Sequence, residues 1–261
     1  MNSSAQSVVV ETRQDVCWIT INRPELRNAI NEDVIWGISA GLRQAESTPG
    51  VRAVVLTGAG ERAFCAGADL GQNSNIFDFD FSQPRTDYAD LLRQAVAFDI
   101  PLIARVNGAC MAGGMGLLSM CDMAVASTNA AFGLPEVKIG MFPMQVASVM
   151  QHLVPRRKFA EMCITGEPLS AQEALEIGLV NYVVAPAELD DKVDWLVSRV
   201  TDKSPTAIRR GKNALRAISD MTFAQSISFM EAQLGSLRMT QDAAEGLIAF
   251  AEKRKPVWTG K

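Results

Sequence analysis

Three apolar runs limit what this chain can become: Arg52–Thr57, Leu102–Val106 and Asp122–Ala126. Within the first, Ala53, Val54, Val55 and Leu56 leave no polar face. A strand of that kind must be covered on both sides, as in a parallel sheet flanked by helices. Helical patterns lie between the runs, so the expected core is an α/β arrangement with parallel strands. Ahead of it, Val8–Glu11 and Val16–Ile21 read as a hairpin around Thr12-Arg13-Gln14-Asp15. Ala29–Ala45 reads as a helix in which Asn31 is a possible N-cap, and Thr48-Pro49-Gly50 ends it.

Beyond residue 170 the pattern is mainly helical. Ser170-Ala171-Gln172-Glu173 forms a capping box and Gly178 a natural stop. Ser204-Pro205 opens a helix through about Ile218, and Phe223–Arg238 and Asp242–Lys253 complete the tail. The expected organisation is a core over residues 1–200 and a helical region over 201–261. Gly71–Asp90 lacks a helical period and reads as a loop, either a lid or a solvated connection.

Composition removes several classes of function. A formal charge of −4 provides no basic footprint for nucleic acid or an anionic membrane. No apolar run is long enough to span a bilayer, and the start lacks a signal-peptide pattern. The 5 cysteines are odd in number and scattered, which reads as reduced thiols in a cytoplasmic protein. The single histidine, His152, has no partner motif and reads as a polar helix-flank position. Acid–base chemistry therefore falls mainly to carboxylates.

Two small-residue segments follow predicted strands: Gly58 to Leu70, containing Cys65-Ala66-Gly67-Ala68-Asp69, and Asn107 to Leu117, containing Ala112-Gly113-Gly114-Met115-Gly116. Backbone N–H groups converging from two such turns form an oxyanion hole; singly, each segment reads first as a turn with tight helix packing. Gly58-Ala59-Gly60-Glu61-Arg62-Ala63 also matches a dinucleotide fingerprint, but a second small-residue turn interrupts the helix that fingerprint needs. In the third segment, Glu136 follows Pro135 among apolar residues. It reads either as a desolvated proton-transfer carboxylate or as a helix-start acid.

Ala63-Phe64-Cys65-Ala66-Gly67-Ala68-Asp69-Leu70, Asn107-Gly108-Ala109 with Ala112-Gly113-Gly114, Cys121-Asp122, Phe132-Gly133 and Pro135-Glu136 occur in that order. Together with Asn22-Arg23-Pro24, Thr165-Gly166-Glu167 and the ending Phe250 to Pro256, they resemble the enoyl-CoA hydratase/isomerase (crotonase) family across nearly the whole chain. The resemblance implies a superhelix of β-β-α turns with a C-terminal helical region used for trimers or dimers of trimers. It implies Ala68 and Gly113 as oxyanion donors and Glu136 as the proton-transfer group. It places Asn22, Arg23, Arg27, Ala66 and Lys253 along the CoA groove, with coenzyme A as part of the substrate and no further cofactor or metal. The expected acyl pocket draws on Met141, Phe142, Met144 and the Ile76–Phe81 loop, Ile76 among them.

One position departs from the family's hydratases. Their other glutamate aligns with Gly116, which has no side chain. Asp78 or Asp80 could supply a second acid from the loop. Hydration needs two groups to hold one water, whereas one glutamate can take a proton from C2 and return it at C4. The resemblance thus favours conversion of a 3-enoyl-CoA to a 2-enoyl-CoA. Hydratase or hydratase-lyase activity is the alternative, and a CoA-thioester-binding protein with degenerate chemistry the remote one.

Overall fold

The computed structural model describes residues 6–71, 80–82 and 85–261. The expected pocket residue Ile76 and the candidate acid Asp78 lie outside these described residues.

The chain begins with the expected hairpin, β1 (Val8–Arg13) and β2 (Val16–Ile21), paired antiparallel. Helix α1 spans Glu32–Ser47 and begins three residues later than the sequence suggested. Asn31 caps it by accepting from the Val34 N–H at 3.0 Å, so Ala29 and Ile30 stay outside the helix. Next come β3 (Ala53–Gly58), β4 (Ala63–Cys65) and α2 (Asp87–Ala97). A second unit repeats the order as β5 (Leu102–Val106), β6 (Ala109–Met111) and α3 (Gly113–Ser119). A third consists of β7 (Met123–Ser127), β8 (Ala131–Gly133), a 3₁₀ turn at Pro135–Ile139 and α4 (Met144–Met150).

Each of these units contributes its first strand to one sheet and its second strand to another. The larger sheet runs β1-β2-β3-β5-β7-β10, with β10 at Tyr182–Val184. The smaller runs β4-β6-β8-β9, with β9 at Leu169–Ser170. Strand, strand, helix, repeated along both sheets, is the superhelix that the family resemblance implies.

Apolar runs in the larger sheet are buried on both faces, as a central parallel strand requires. Val54 and Leu56 point into the main core with Ile19, Ile38, Leu42 and Phe64. Ala53 and Val55 join Ile103 and Val125 on the other face, against Val193 and Leu196. Those two belong to α7 (Leu189–Thr201), which follows α5 (Arg156–Thr165) and α6 (Ala171–Glu176).

The C-terminal helices are α8 (Pro205–Ile218), α9 (Phe223–Arg238) and α10 (Gln241–Glu252). Ser204 caps α8, and its hydroxyl also donates to buried Asp242, which ties α8 to α10. Lys212 of α8 reaches back to Asp122 at 2.6 Å. In contrast, α9 buries no residue although it carries Phe223, Ile227 and Leu234. Among the described residues, no helix is long and apolar enough to cross a membrane.

Candidate active site

The smaller sheet gathers the three segments singled out in the sequence. Its strands β4, β6 and β8 run parallel, pairing Cys65 with Cys110 and Met111 with Gly133. Ala66–Ala68, Ala112–Gly113 and Pro135–Glu136 therefore leave the same edge of the sheet at its carboxyl end. Strand ends of this kind are the usual place for ligands in α/β sheets. The Ala112 N–H donates to the Gly133 carbonyl at 2.9 Å and ties two of the exits together.

Ala68 sits in an isolated parallel bridge opposite Ile30. Ile30 donates to the Gly67 carbonyl and accepts from the Asp69 N–H, both at 2.8 Å. This pattern passes over Ala68, whose own N–H faces the opposite side. Gly67 (φ +95°) makes the turn, and a Cβ there would stand 2.7 Å from the Ala112 Cβ and 3.5 Å from the Gly113 nitrogen. The Gly67–Ala68 peptide thus lies against the start of α3. Gly113 is the first residue of α3, where an N–H has no intrahelical acceptor. Among the described residues, neither the Ala68 nor the Gly113 N–H has an acceptor. Two free donors side by side at a helix start can hold a developing oxyanion.

The turn into α3 is strained. Ala112 has φ 49° and ψ −122°, a region that a residue with a Cβ rarely enters. Such strain persists where surrounding contacts over-determine the backbone. Here it orients the helix start against the Gly67–Ala68 turn.

Glu136 lies in the 3₁₀ turn after β8 and is half-buried. Its Oε2 is buried and, among the described residues, has no hydrogen-bond partner. Burial pushes its carboxyl above the usual range, opposed only in part by a backbone N–H. A carboxylate with one unpartnered oxygen and raised basicity is suited to moving a proton. Cys65 lies next to the Gly67–Ala68 turn but is fully buried, and burial pushes its thiol up to about 12. It stays protonated and is no nucleophile at neutral pH.

Gly116 lies one helical turn into α3. A Cβ on it would meet the Tyr88 hydroxyl oxygen at 2.1 Å and its ring at 3.2 Å. Tyr88, from α2, donates that hydroxyl to the Gly113 carbonyl. The space that a side chain at 116 would need therefore holds a phenol. Nothing in the sequence around Tyr88 marked it: it falls on the buried face of an amphipathic helix with Leu91, Leu92 and Ala95.

The remaining expected site residues divide. Ala66 donates to the Arg27 carbonyl at 3.1 Å, placing Arg27 beside the Gly67–Ala68 turn. Arg27 is left-handed (φ 52°), and its side chain is exposed. Asn22 donates to the Gln6 carbonyl. Arg23 is engaged within the protein: it pairs with Asp69 at 2.8 Å and donates to the Ala29 carbonyl at 2.7 Å. Its guanidinium braces the turn, and it holds the Asp69 carboxyl below its usual range. Asn28, fully buried, went unnoticed in the sequence. It bonds to the Ala59 and Ala63 carbonyls and accepts from the Arg23 N–H. Its left-handed backbone (φ 57°) suits asparagine, the one local signal that could have found it.

Met141, Phe142 and Met144 are exposed, and only Met144 lines the cleft between α2 and α4, with Thr86, Leu92, Arg93 and Gln145. Lys253 is an exposed left-handed cap at the end of α10, away from these exits in sequence. His152 is an exposed turn residue just after α4. Asp80 accepts from Ser82 within its own turn.

Comparison with known proteins agrees with this architecture. Residues 11–261 match the family described as Enoyl-CoA hydratase/isomerase. A relative from Thauera aromatica, (E)-benzylidenesuccinyl-CoA hydratase, is 32% identical over 97% of this chain and 99% of its own. The short-chain-enoyl-CoA hydratase of Clostridium acetobutylicum is 32% identical over 95% and 96% of the two chains. The crystal structure of enoyl-CoA hydratase from Bacillus anthracis superposes with a TM-score of 0.90 at 30% identity, covering 98% of this chain and 100% of that one. With strand order, helix order and the three strand-end segments all in place, the chain belongs to the enoyl-CoA hydratase/isomerase family.

Proposed function

We propose that the protein moves the double bond of an acyl-CoA thioester, converting a 3-enoyl-CoA to a 2-enoyl-CoA. Glu136 takes the proton from C2, and the electron pair passes onto the thioester oxygen. The Ala68 and Gly113 N–H groups hold the resulting dienolate. The same carboxyl returns the proton at C4 as the carbonyl reforms, leaving the double bond between C2 and C3. This transfer is redox-neutral and draws on no metal or further cofactor. The carrying observation is the pairing of one desolvated carboxylate, its Oε2 unpartnered among the described residues, with a second acid position occupied by Gly116 and filled by a phenol.

In this reading the CoA moiety lies beyond Arg27 and Ala66. Arg27 and Lys253, which carry no ion pair among the described residues, are free to meet phosphates, Lys253 from a neighbouring copy. The uncovered apolar side chains of α9 support a homotrimer, or a dimer of trimers.

Hydration is the second reading, favoured by relatives described as hydratases. The two share Glu136 and divide at the second acid position, where Gly116 stands; Glu136 separates both from a CoA-thioester-binding protein without chemistry. Glu136→Gln keeps the shape but cannot accept a proton. It should abolish exchange of the C2 hydrogens of an acyl-CoA with deuterated water while acyl-CoA affinity stays within about threefold. Wild-type exchange in this variant would remove Glu136 from the mechanism.

A further inference from the structure

The hydroxyl of Tyr88 stands where the family's second acid would project, and it touches the backbone that carries an oxyanion donor. We propose that Tyr88 is a positioning residue: it fixes the first turn of α3 so that the Gly113 N–H stays aimed at the thioester oxygen, and it closes position 116 to a second acid. The proposal rests on the reading of Ala68 and Gly113 as oxyanion donors and adds a residue to it.

Three observations carry it. First, the turn before Gly113 is held in a strained conformation at Ala112, which requires external ties. The Ala112 N–H bond to Gly133 is one, and the Tyr88 bond to the Gly113 carbonyl is the other. Second, Tyr88 is itself clamped. Thr86 caps α2 and accepts from Gln145 of α4 at 2.6 Å, while Trp36 of α1 donates to Asp87 at 2.9 Å. The two residues before it are thus bound to two other helices, which fixes the start of α2 from which the Tyr88 side chain projects. Third, Gly116 leaves no choice of occupant: its Cβ site is 2.1 Å from the hydroxyl and 3.4 Å from Val146 Cγ2.

The phenol is a neutral donor. Burial pushes its ionisation well above the ordinary tyrosine value. It can hold a carbonyl but cannot serve as a base at neutral pH. A carboxylate introduced at 116 would meet it, so Gly116→Glu alone should not create the two-acid arrangement.

The test uses a saturated acyl-CoA labelled with carbon-13 at the thioester carbonyl, which this site can neither isomerise nor hydrate. Infrared difference spectra of the bound label report the strength of the oxyanion donors directly. Wild type should lower the carbonyl frequency, and Tyr88→Phe should return much of that shift toward the value in water. With a 3-enoyl-CoA, kcat should fall about tenfold, the scale of one lost hydrogen bond, with KM nearly unchanged. Gly116→Ala should reproduce both losses, because its Cβ displaces the hydroxyl. The double variant should lose no more than either alone, as expected when two changes break one contact. A Tyr88→Phe enzyme with wild-type kcat and carbonyl frequency would overturn the assignment, as would losses that multiply in the double variant. If wild type itself leaves the carbonyl at its value in water, the oxyanion reading falls and this proposal with it. If wild type shifts it and Tyr88→Phe shifts it equally, only the role of Tyr88 falls.

Discussion

Ile30 and Ala68 meet in a single parallel bridge in which Ile30 uses both its backbone groups and Ala68 uses neither. That asymmetry leaves the Ala68 N–H unclaimed at a partly exposed position while Gly67 behind it is buried. In the proposed reaction this strand pairing presents a donor that would need no reorganisation as charge develops.

Removing one of the two donors should therefore be costly. An ester linkage in place of the peptide nitrogen of Gly113 deletes the N–H and little else. Turnover should fall by about 10²–10³, with acyl-CoA affinity much less affected. Gly113→Pro is a cruder probe. Proline is tolerated at a helix's first position, but Ala112 at ψ −122° would have to move to precede it. Wild-type turnover in the ester variant, measured by the shift of the double bond, would eliminate Gly113 as a donor.

Glu136 makes a separate prediction about stability and pH. Its folded carboxyl is raised, so the folded state holds the proton more tightly than the unfolded state. Stability attributable to this group is greatest below the unfolded value of about 4.3 and falls as pH rises through the raised folded value. At pH 7–8 the charged carboxylate is a full cost, and Glu136→Gln should raise Tm by on the order of 2 °C. At pH 4 the difference should vanish. The acid limb of kcat/KM in wild type should lie above the ordinary glutamate range, because the base must lose its proton first. Thermal unfolding of both proteins across that range checks the sign.

How much of this was readable beforehand depended on the length of the signal. The run at Ala53–Leu56 declared a doubly buried strand because both faces are apolar, and α8 begins at the Ser204-Pro205 cap as its chemistry dictates. Strands β4, β6 and β8 have three residues each, too few for a period, so their segments were legible only through motif order. The start of α1 was placed early because Ala29 and Ile30 are apolar, whereas Ile30 is committed to the bridge with Ala68. Arg23 gave no sign that its partner would be Asp69, 46 residues away. Gly116 announced an absent side chain, but not what fills the gap. Tyr88 reaches it from another helix, and only packing brings the two together.

Assembly should depend on α9, which has no buried residue within its own chain. Phe223 is 82% exposed and Leu234 62%, a large apolar surface to leave in water. Phe223→Asp together with Leu234→Asp should yield monomers in sedimentation velocity at micromolar concentration, where wild type should sediment as a trimer or a dimer of trimers. A monomeric wild type would leave this face without the proposed partner.

The central claim is that one carboxylate, not two, performs the chemistry. Offering the unmodified protein a 3-enoyl-CoA and, separately, the matching 2-enoyl-CoA compares the two reactions on the same site. With a single base at Glu136 and a phenol at the second acid position, the 3-enoyl-CoA should be converted at least a hundredfold faster than water is added to the 2-enoyl-CoA, on the scale of one acid–base catalyst. Efficient hydration of the 2-enoyl-CoA, with the 3-enoyl-CoA left unchanged, would contradict the account.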